Sequence, residues 1–243
     1  MEPDGRRDAL TDSLGSRREH VVAPLLVFVA LAIVFESTRL DVWFADAIYR
    51  WEGGAWALRR DPFVSGVLHG TASRLVSVAC AALVVACAAS FWVERLRPYR
   101  WTLVYLVTAV AVSTLTVSLL KDVTRVPCPW SIDRYGGNLP YLETWRTILT
   151  RASTKRCFPS GHAGSAFAWI ALYFVCRRHA PRWRWVALAG VVAIGLTFGV
   201  AQQLRGAHFV SHDLWALAIS WFVACAATPI LRRGAGATTA APS

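Results

Sequence analysis

Six stretches of this chain, residues 21–35, 75–93, 101–120, 163–176, 185–201 and 214–231, contain no Asp, Glu, Lys or Arg. The hydrocarbon core of a bilayer takes about 20 residues of helix, with a working range of ~17–25. Four of the six stretches reach that length. The stretches 21–35 and 163–176 fall short, so they must borrow flanking residues or dip into protein rather than lipid. Buried helices of a water-soluble protein are the alternative, but six of them in a chain this small would leave too little polar surface. Composition argues the same way. Apolar residues make up 55% and charged residues 17%, against roughly 25% charged in a soluble domain. Twelve tryptophans suit the two lipid–water boundaries. The expected fold is all-α, a six-span transmembrane helical bundle over residues 21–231. An N-terminal arm (1–20) precedes it and a disordered tail (232–243) follows.

Charge orients the bundle. The short joint 94–100 carries Arg95, Arg97 and Arg100, and the joint 177–184 carries Arg177, Arg178, Arg182 and Arg184. Arg232 and Arg233 follow the last stretch; Arg6, Arg7, Arg17 and Arg18 precede the first. The positive-inside rule makes these ends cytoplasmic, so both termini lie inside. Segments 38–74, 121–162 and 202–213 then lie outside. The expectation is a multi-pass protein of a bacterial inner membrane, with its site facing the periplasm. The formal charge of +11 does not imply nucleic acid, because the arginines sit at helix ends and no nucleic-acid motif interleaves them. Anionic lipid and topology account for about half of them. Stretch 21–35 lacks a small-x-small cleavage site and reads as an uncleaved anchor. Segment 40–70 mixes Trp, Phe and Leu with Asp and Arg and reads as short amphipathic helices on the outer surface. No internal repeat is present.

Cys80, Cys87, Cys176 and Cys225 fall within the apolar stretches and read as small packing residues. Cys128 and Cys157 share an outside segment. In an oxidising compartment they can form a disulfide, closing a loop of about 30 residues for roughly 3–4 kcal/mol. Two free thiols are the alternative.

Polar chemistry concentrates in three places on the outer side. The first is KDVTRVPCPWSIDRYGG, from Lys121. Lys121 and Arg125, four apart, share a helix face and form an anion site or a snorkelling helix end. The second is Pro159-Ser160-Gly161-His162, running straight into an apolar stretch. Pro and Ser suit a helix start, Gly161 lets backbone approach a ligand, and the free N–H groups of a helix N-terminus hold phosphate. A plain helix cap explains Ser160 but not the adjacent Gly-His. The third is QQLRGAHFVSHDLWA, from Gln202, where Arg205, His208, His212 and Asp213 crowd a span boundary. Ionisable groups there are costly and mark function.

In this order the three segments resemble the type-2 phosphatidic acid phosphatase superfamily, whose signatures are K-x6-R-P, P-S-G-H and S-R-x5-H-x3-D on a six-span bundle. The resemblance covers nearly the whole chain except its tails. The second signature matches fully at Pro159, Ser160, Gly161 and His162. In the first, Lys121 and Pro129 match, but Cys128 stands where the family has arginine; Arg125, Arg134 and Arg156 are the candidate replacements. In the third, His208 matches the family's nucleophile. Gln202 stands at the arginine position, with Arg205 one turn closer. His212 stands where the family has Asp, and Asp213 follows it. Either of these could orient His208: Asp213 has the better chemistry, His212 the better helical spacing.

The resemblance implies a metal-independent membrane lipid phosphatase with no cofactor. Lys121, Arg125, Arg205 and the backbone around Ser160 and Gly161 would hold the phosphate. His208 would attack phosphorus, and His162 would protonate the leaving oxygen and then activate water. Candidate substrates are phosphatidic acid, phosphatidylglycerophosphate, undecaprenyl diphosphate and lipid A; the stretch G-A-H-F-V-S looks somewhat like the lipid A phosphatase branch. The expected partners are the lipid bilayer and this lipid phosphate, not nucleic acid, and no oligomeric state is implied. Three other readings stand beside it. One is phosphotransfer at the same site. Another is a zinc hydrolase using His208, His212 and His162, which lacks the Glu of H-E-x-x-H. The third is a non-catalytic anion-binding membrane protein, such as a scaffold or a transporter. Clean spans with charge at one face count against transport.

Overall fold

A computed structural model describes residues 18–62, 70, 72–151 and 153–236. The expected arm up to residue 17 and the tail from residue 237 lie outside the described residues. Within them the chain is helical, without strands; one isolated bridge joins Ile132 and Leu139.

After a π-helical turn, Arg18–Val22, helix α1 spans Ala23–Thr38, with Pro24 in its first turn, where no N–H is needed. Arg39 in the left-handed region breaks it from α2, Leu40–Trp51. Helix α2 exposes Trp43 and Trp51 and buries Asp41 and Ala45, the two-faced pattern expected of a surface helix. Helix α3 spans Ala72–Ala89 and a 3-10 turn, Glu94–Tyr99, leads into α4, Arg100–Thr124. A long connecting segment follows, with 3-10 turns at Pro129–Ser131 and Asp133–Tyr135 and a short α5, Thr144–Thr150. Helices α6 (Gly161–Phe167) and α7 (Ala171–His179) are joined by a 3-10 turn, Ala168–Ile170. Helices α8 (Arg184–Leu204), α9 (Val210–Ala226) and α10 (Thr228–Gly236) complete the bundle. Residues 232–236, expected in the disordered tail, are helical: α10 starts again after Ala227 with Pro229 in its first turn and buries Leu231.

Among the described residues, four helical segments are long and apolar enough to cross a membrane: Arg18–Thr38, Glu94–Ser131, Pro181–Leu204 and Val210–Arg233. Large apolar side chains on them, among them Leu26, Leu115 and Ile194, are exposed, as lipid-facing surface must be. The chain is an integral membrane protein. The other two apolar stretches differ in kind. Ser73–Ala89 is an apolar helix of less than full length. The run α6–α7 dips into protein: Ala163, Phe167, Ala168 and Ala171 are fully buried, and α6 packs against α4, α8 and α9. Its small residues permit that close approach. Gly164 meets Val117 and Ala216, and Gly195 of α8 receives the Phe167 ring so closely that a Cβ at 195 would collide with it. A centrally placed helix needs no lipid-length apolar run, which explains its short sequence signal.

Candidate active site

The three polar segments meet where α4 ends and where α6 and α9 begin. The joints are specific. Thr124 Oγ1 donates to the Phe158 carbonyl at 2.8 Å. The Cys157 N–H donates to Val126 O at 3.0 Å, and Cys128 and Cys157 are joined as a disulfide with Cα atoms 5.2 Å apart. The Ser160 N–H donates to His212 O at 3.0 Å, and the Trp130 N–H to Gly206 O at 3.0 Å. The first signature is thereby tied to the second, and both to the third.

Helix α9 starts without a side-chain cap of its own, from Phe209 in extended conformation. The cap comes from another helix: Asp41 Oδ1, on α2, accepts from the Ser211 N–H at 2.9 Å. Burial pushes the Asp41 carboxyl up to about 6, although hydrogen bonds from Ser211 and Val210 pull the other way. The turn that carries His212 is anchored from outside the three signatures.

His208 is 7% exposed, and its Nδ1 lies 3.4 Å from His212 Nδ1. Only one of those two nitrogens can carry the proton they share. Burial lowers the His208 pKa well below the usual imidazole value, with His212, Lys121 and His162 adding to the effect and a backbone hydrogen bond at Cys157 opposing it. His208 is therefore neutral at pH 7. The His212 ring is fully buried, with Phe158 and Phe209 packed edge-on at 5.2 and 5.5 Å, which fixes its rotamer. Asp213 points elsewhere. Its Oδ2 accepts from Gln203 Nε2 of α8 at 2.7 Å, and it lies so close to Gly199 that a Cβ there would strike it. His208 precedes α9, so the split is set by packing: the extended residue Phe209 carries the chain from His208 into the helix, and α8 receives the Asp213 carboxylate.

Lys121, in the last turn of α4, directs Nζ to the Arg156 carbonyl at 3.4 Å and lies against Gly161. A Cβ on residue 161 would be 3.2 Å from Lys121 Cε and Nζ, so glycine leaves room for the ammonium group. Arg156 forms an ion pair with Asp122, one residue from Lys121. Of the three arginines considered for the missing signature position, Arg156 is thus the one beside Lys121. Arg134 forms a two-pronged pair with Asp46 of α2, Nε to Oδ1 at 2.7 Å, holding the Asp46 pKa down, and Tyr135 donates to the same carboxylate. Arg125 is exposed, takes the left-handed conformation that ends α4, and turns Nε back to Asp122 O.

His162, in the first turn of α6, lies with Nε2 3.3 Å from Ser73 Oγ of α3. Arg205 donates to Gln202 Oε1 at 3.1 Å and to Arg59 O at 3.4 Å. Burial and the neighbouring Arg59 guanidinium lower the Arg205 pKa. Arg59 in turn stacks over Trp130, 4.2 Å from the ring centre, so two cations border the segment after α4 there. Among the described residues, no group of three His, Cys, Asp or Glu side chains converges as a metal site.

Residues 102–234, more than half of the chain, match the model of the PAP2 superfamily. The chain belongs to that superfamily. Among solved structures, this PAP2 chain is similar to the first transmembrane PAP2 type phosphatidylglycerolphosphate phosphatase from Bacillus subtilis. Identity is 18% and the TM-score 0.55, over 88% of this chain and 96% of that one, so the likeness is one of fold. No curated protein matches the chain. Asp41, Arg59, Ser73 and Gln203 complete the surroundings of the PAP2 signatures, and none stands out in sequence. Each is an ordinary polar residue of a helix or turn, brought in by packing alone.

Proposed function

We propose that this protein is a membrane lipid phosphatase that works through a phosphohistidine, with six spans and the site on the periplasmic face. The observation that carries the reading is the buried, neutral His208 with its Nδ1 on His212, beside Lys121 and the start of α6. With Nδ1–H given to His212, the Nε2 lone pair of His208 is left to attack phosphorus in line. Lys121, the Arg156 and Arg205 guanidinium groups and the backbone N–H groups of Gly161 and His162 stabilise charge on the phosphoryl oxygens. As the N–P bond forms, the P–O bond to the lipid breaks, and His162 gives its proton to the leaving oxygen. His162 then takes a proton from water, which attacks phosphorus and frees His208 and phosphate. Orientation of His208 belongs to His212, and Asp213 instead ties α9 to α8 through Gln203. No step needs a metal ion.

The substrate is an amphiphile whose phosphate reaches the outer lip of the bundle from the bilayer. Phosphatidylglycerophosphate, phosphatidic acid, undecaprenyl diphosphate and lipid A are the candidates; the solved PAP2 neighbour is a phosphatidylglycerolphosphate phosphatase. The test is phosphate release from this panel in detergent with EDTA, for wild type beside His208→Ala. Release in EDTA that disappears in the variant is expected, with acid-labile phosphate trapped on the wild type only. Turnover retained by His208→Ala overturns the mechanism, and turnover that returns only with added zinc overturns metal independence.

A further inference from the structure

At the end of the bundle away from the histidines, Ala227 interrupts the helix between α9 and α10. This junction, the last turn of α7 and the N-terminal turn Arg18–Val22 border a cavity of about 860 Å³. Arg177, Arg178, Arg232 and His20 line it, no carboxylate does among the described residues, and Phe174 and Phe222 supply apolar wall. His20 is built in. It is buried, its ring nitrogens lie 3.1 Å from Tyr173 Oη and 3.0 Å from the Arg177 guanidinium, and its carbonyl accepts from Trp221 Nε1 at 2.8 Å. Glu19 lies 4.0 Å from the His20 ring and is mostly exposed. From His212 to Ala226 along α9 is about 20 Å at 1.5 Å per residue, so this cavity is separate from the catalytic one.

A second, wholly apolar groove of about 250 Å³ shares the Phe222 wall. It runs along α1 and α9 past Phe28 and Leu217 to Leu214. A cationic chamber with an apolar groove on the same Phe222 side chain matches one ligand chemistry, a phosphate group carrying a hydrocarbon chain. Basic pockets between transmembrane helices take acidic headgroups in this way. We propose that the chamber binds the headgroup of an acidic diacyl phospholipid, with one acyl chain laid in the groove behind Phe222. The site is distinct from the histidine site and does not rest on the phosphatase reading. Free phosphate shares the headgroup chemistry but has no use for the groove.

The test is native mass spectrometry of the full-length protein from micelles doped with dioleoyl phosphatidylglycerol, dioleoyl phosphatidylcholine or dihexanoyl phosphatidylglycerol. Inorganic phosphate serves as competitor. One dioleoyl phosphatidylglycerol per chain should be retained, at least about tenfold more tightly than the other two lipids, and millimolar phosphate should not displace it. Arg178 and Arg232 are exposed, so R178E/R232E should fold and lose that retention; R178Q/R232Q, which keeps the bulk, should lose most of it. Equal retention of phosphatidylcholine, or full retention by both double variants, overturns the proposal. Displacement by phosphate, or equal binding of the dihexanoyl lipid, overturns the lipid assignment in favour of a free-anion site.

Discussion

A carboxylate beside a catalytic histidine fixes its tautomer and stabilises its cationic form; a second imidazole does only the first. At His208 the neighbour is His212, 3.4 Å away and sealed between two phenylalanines. Burial, with His212 adding to it, holds the His208 pKa well below the usual 6.5, so the proposed nucleophile stays unprotonated into acid. The phosphorylation step should lose rate only below pH 6.5. His212→Ala should cost about 10²-fold or more in kcat with KM nearly unchanged. His212→Asp puts a carboxylate at the family position and should retain activity while moving the acid limb to higher pH, because an anion there favours the imidazolium. A pH–rate profile indifferent to His212→Asp would remove His212 as the partner of His208.

Helix α2 contributes by capping, and the effect has a sign. The folded pKa of Asp41 is raised from its ordinary 3.8 to about 6. Its contribution to stability is therefore full below pH 4 and is lost as pH rises through 6. The loss is on the order of 3 kcal/mol. Asp41→Asn keeps an acceptor for the Ser211 N–H and cannot ionise, so its melting temperature should fall less than that of wild type between pH 4.5 and 7 and lie above wild type at pH 7. Asp41→Ala loses the cap at every pH, for about 1 kcal/mol. Thermal unfolding in detergent at pH 4.5 and 7 checks both; a wild type whose change with pH equals that of Asp41→Asn would rule out a buried ionising carboxyl at Asp41. Amphipathicity marks α2 in the sequence, but nothing there shows that its polar face is turned inward to another helix.

For the whole molecule the open geometric proposal is the six-span arrangement with the histidines outside. In a protein whose four unpaired cysteines are replaced by alanine, a cysteine introduced at Asn138 should react with a membrane-impermeant maleimide in intact cells. One at Pro98 should react only after lysis, and the reverse pattern would invert the topology. Removing the staple across the outer segment, Cys128→Ser with Cys157→Ser, should lower stability by roughly 3–4 kcal/mol and loosen the Lys121–Gly161 contact. Calorimetry and KM for the lipid substrate would register the two effects.

The chain's charge-free stretches determined by themselves that it is an all-helical membrane protein, because a helix in lipid must be apolar along its whole length. The P-S-G-H run and the histidine-rich segment marked a candidate site, because a phosphate site calls for helix N-termini, cations and imidazoles at one membrane face. Tertiary structure decided what spacing left open. Whether 163–176 faces lipid or protein depends on what packs around it, and it is enclosed by α4, α8 and α9. Which of Arg125, Arg134 and Arg156 stands beside Lys121 depends on where the long segment between α4 and α6 folds back. Asp213 turns away from His208 because Gly199 and Gln203 of α8 receive it. Such choices are set by contacts between residues far apart in the chain, and no local pattern carries them.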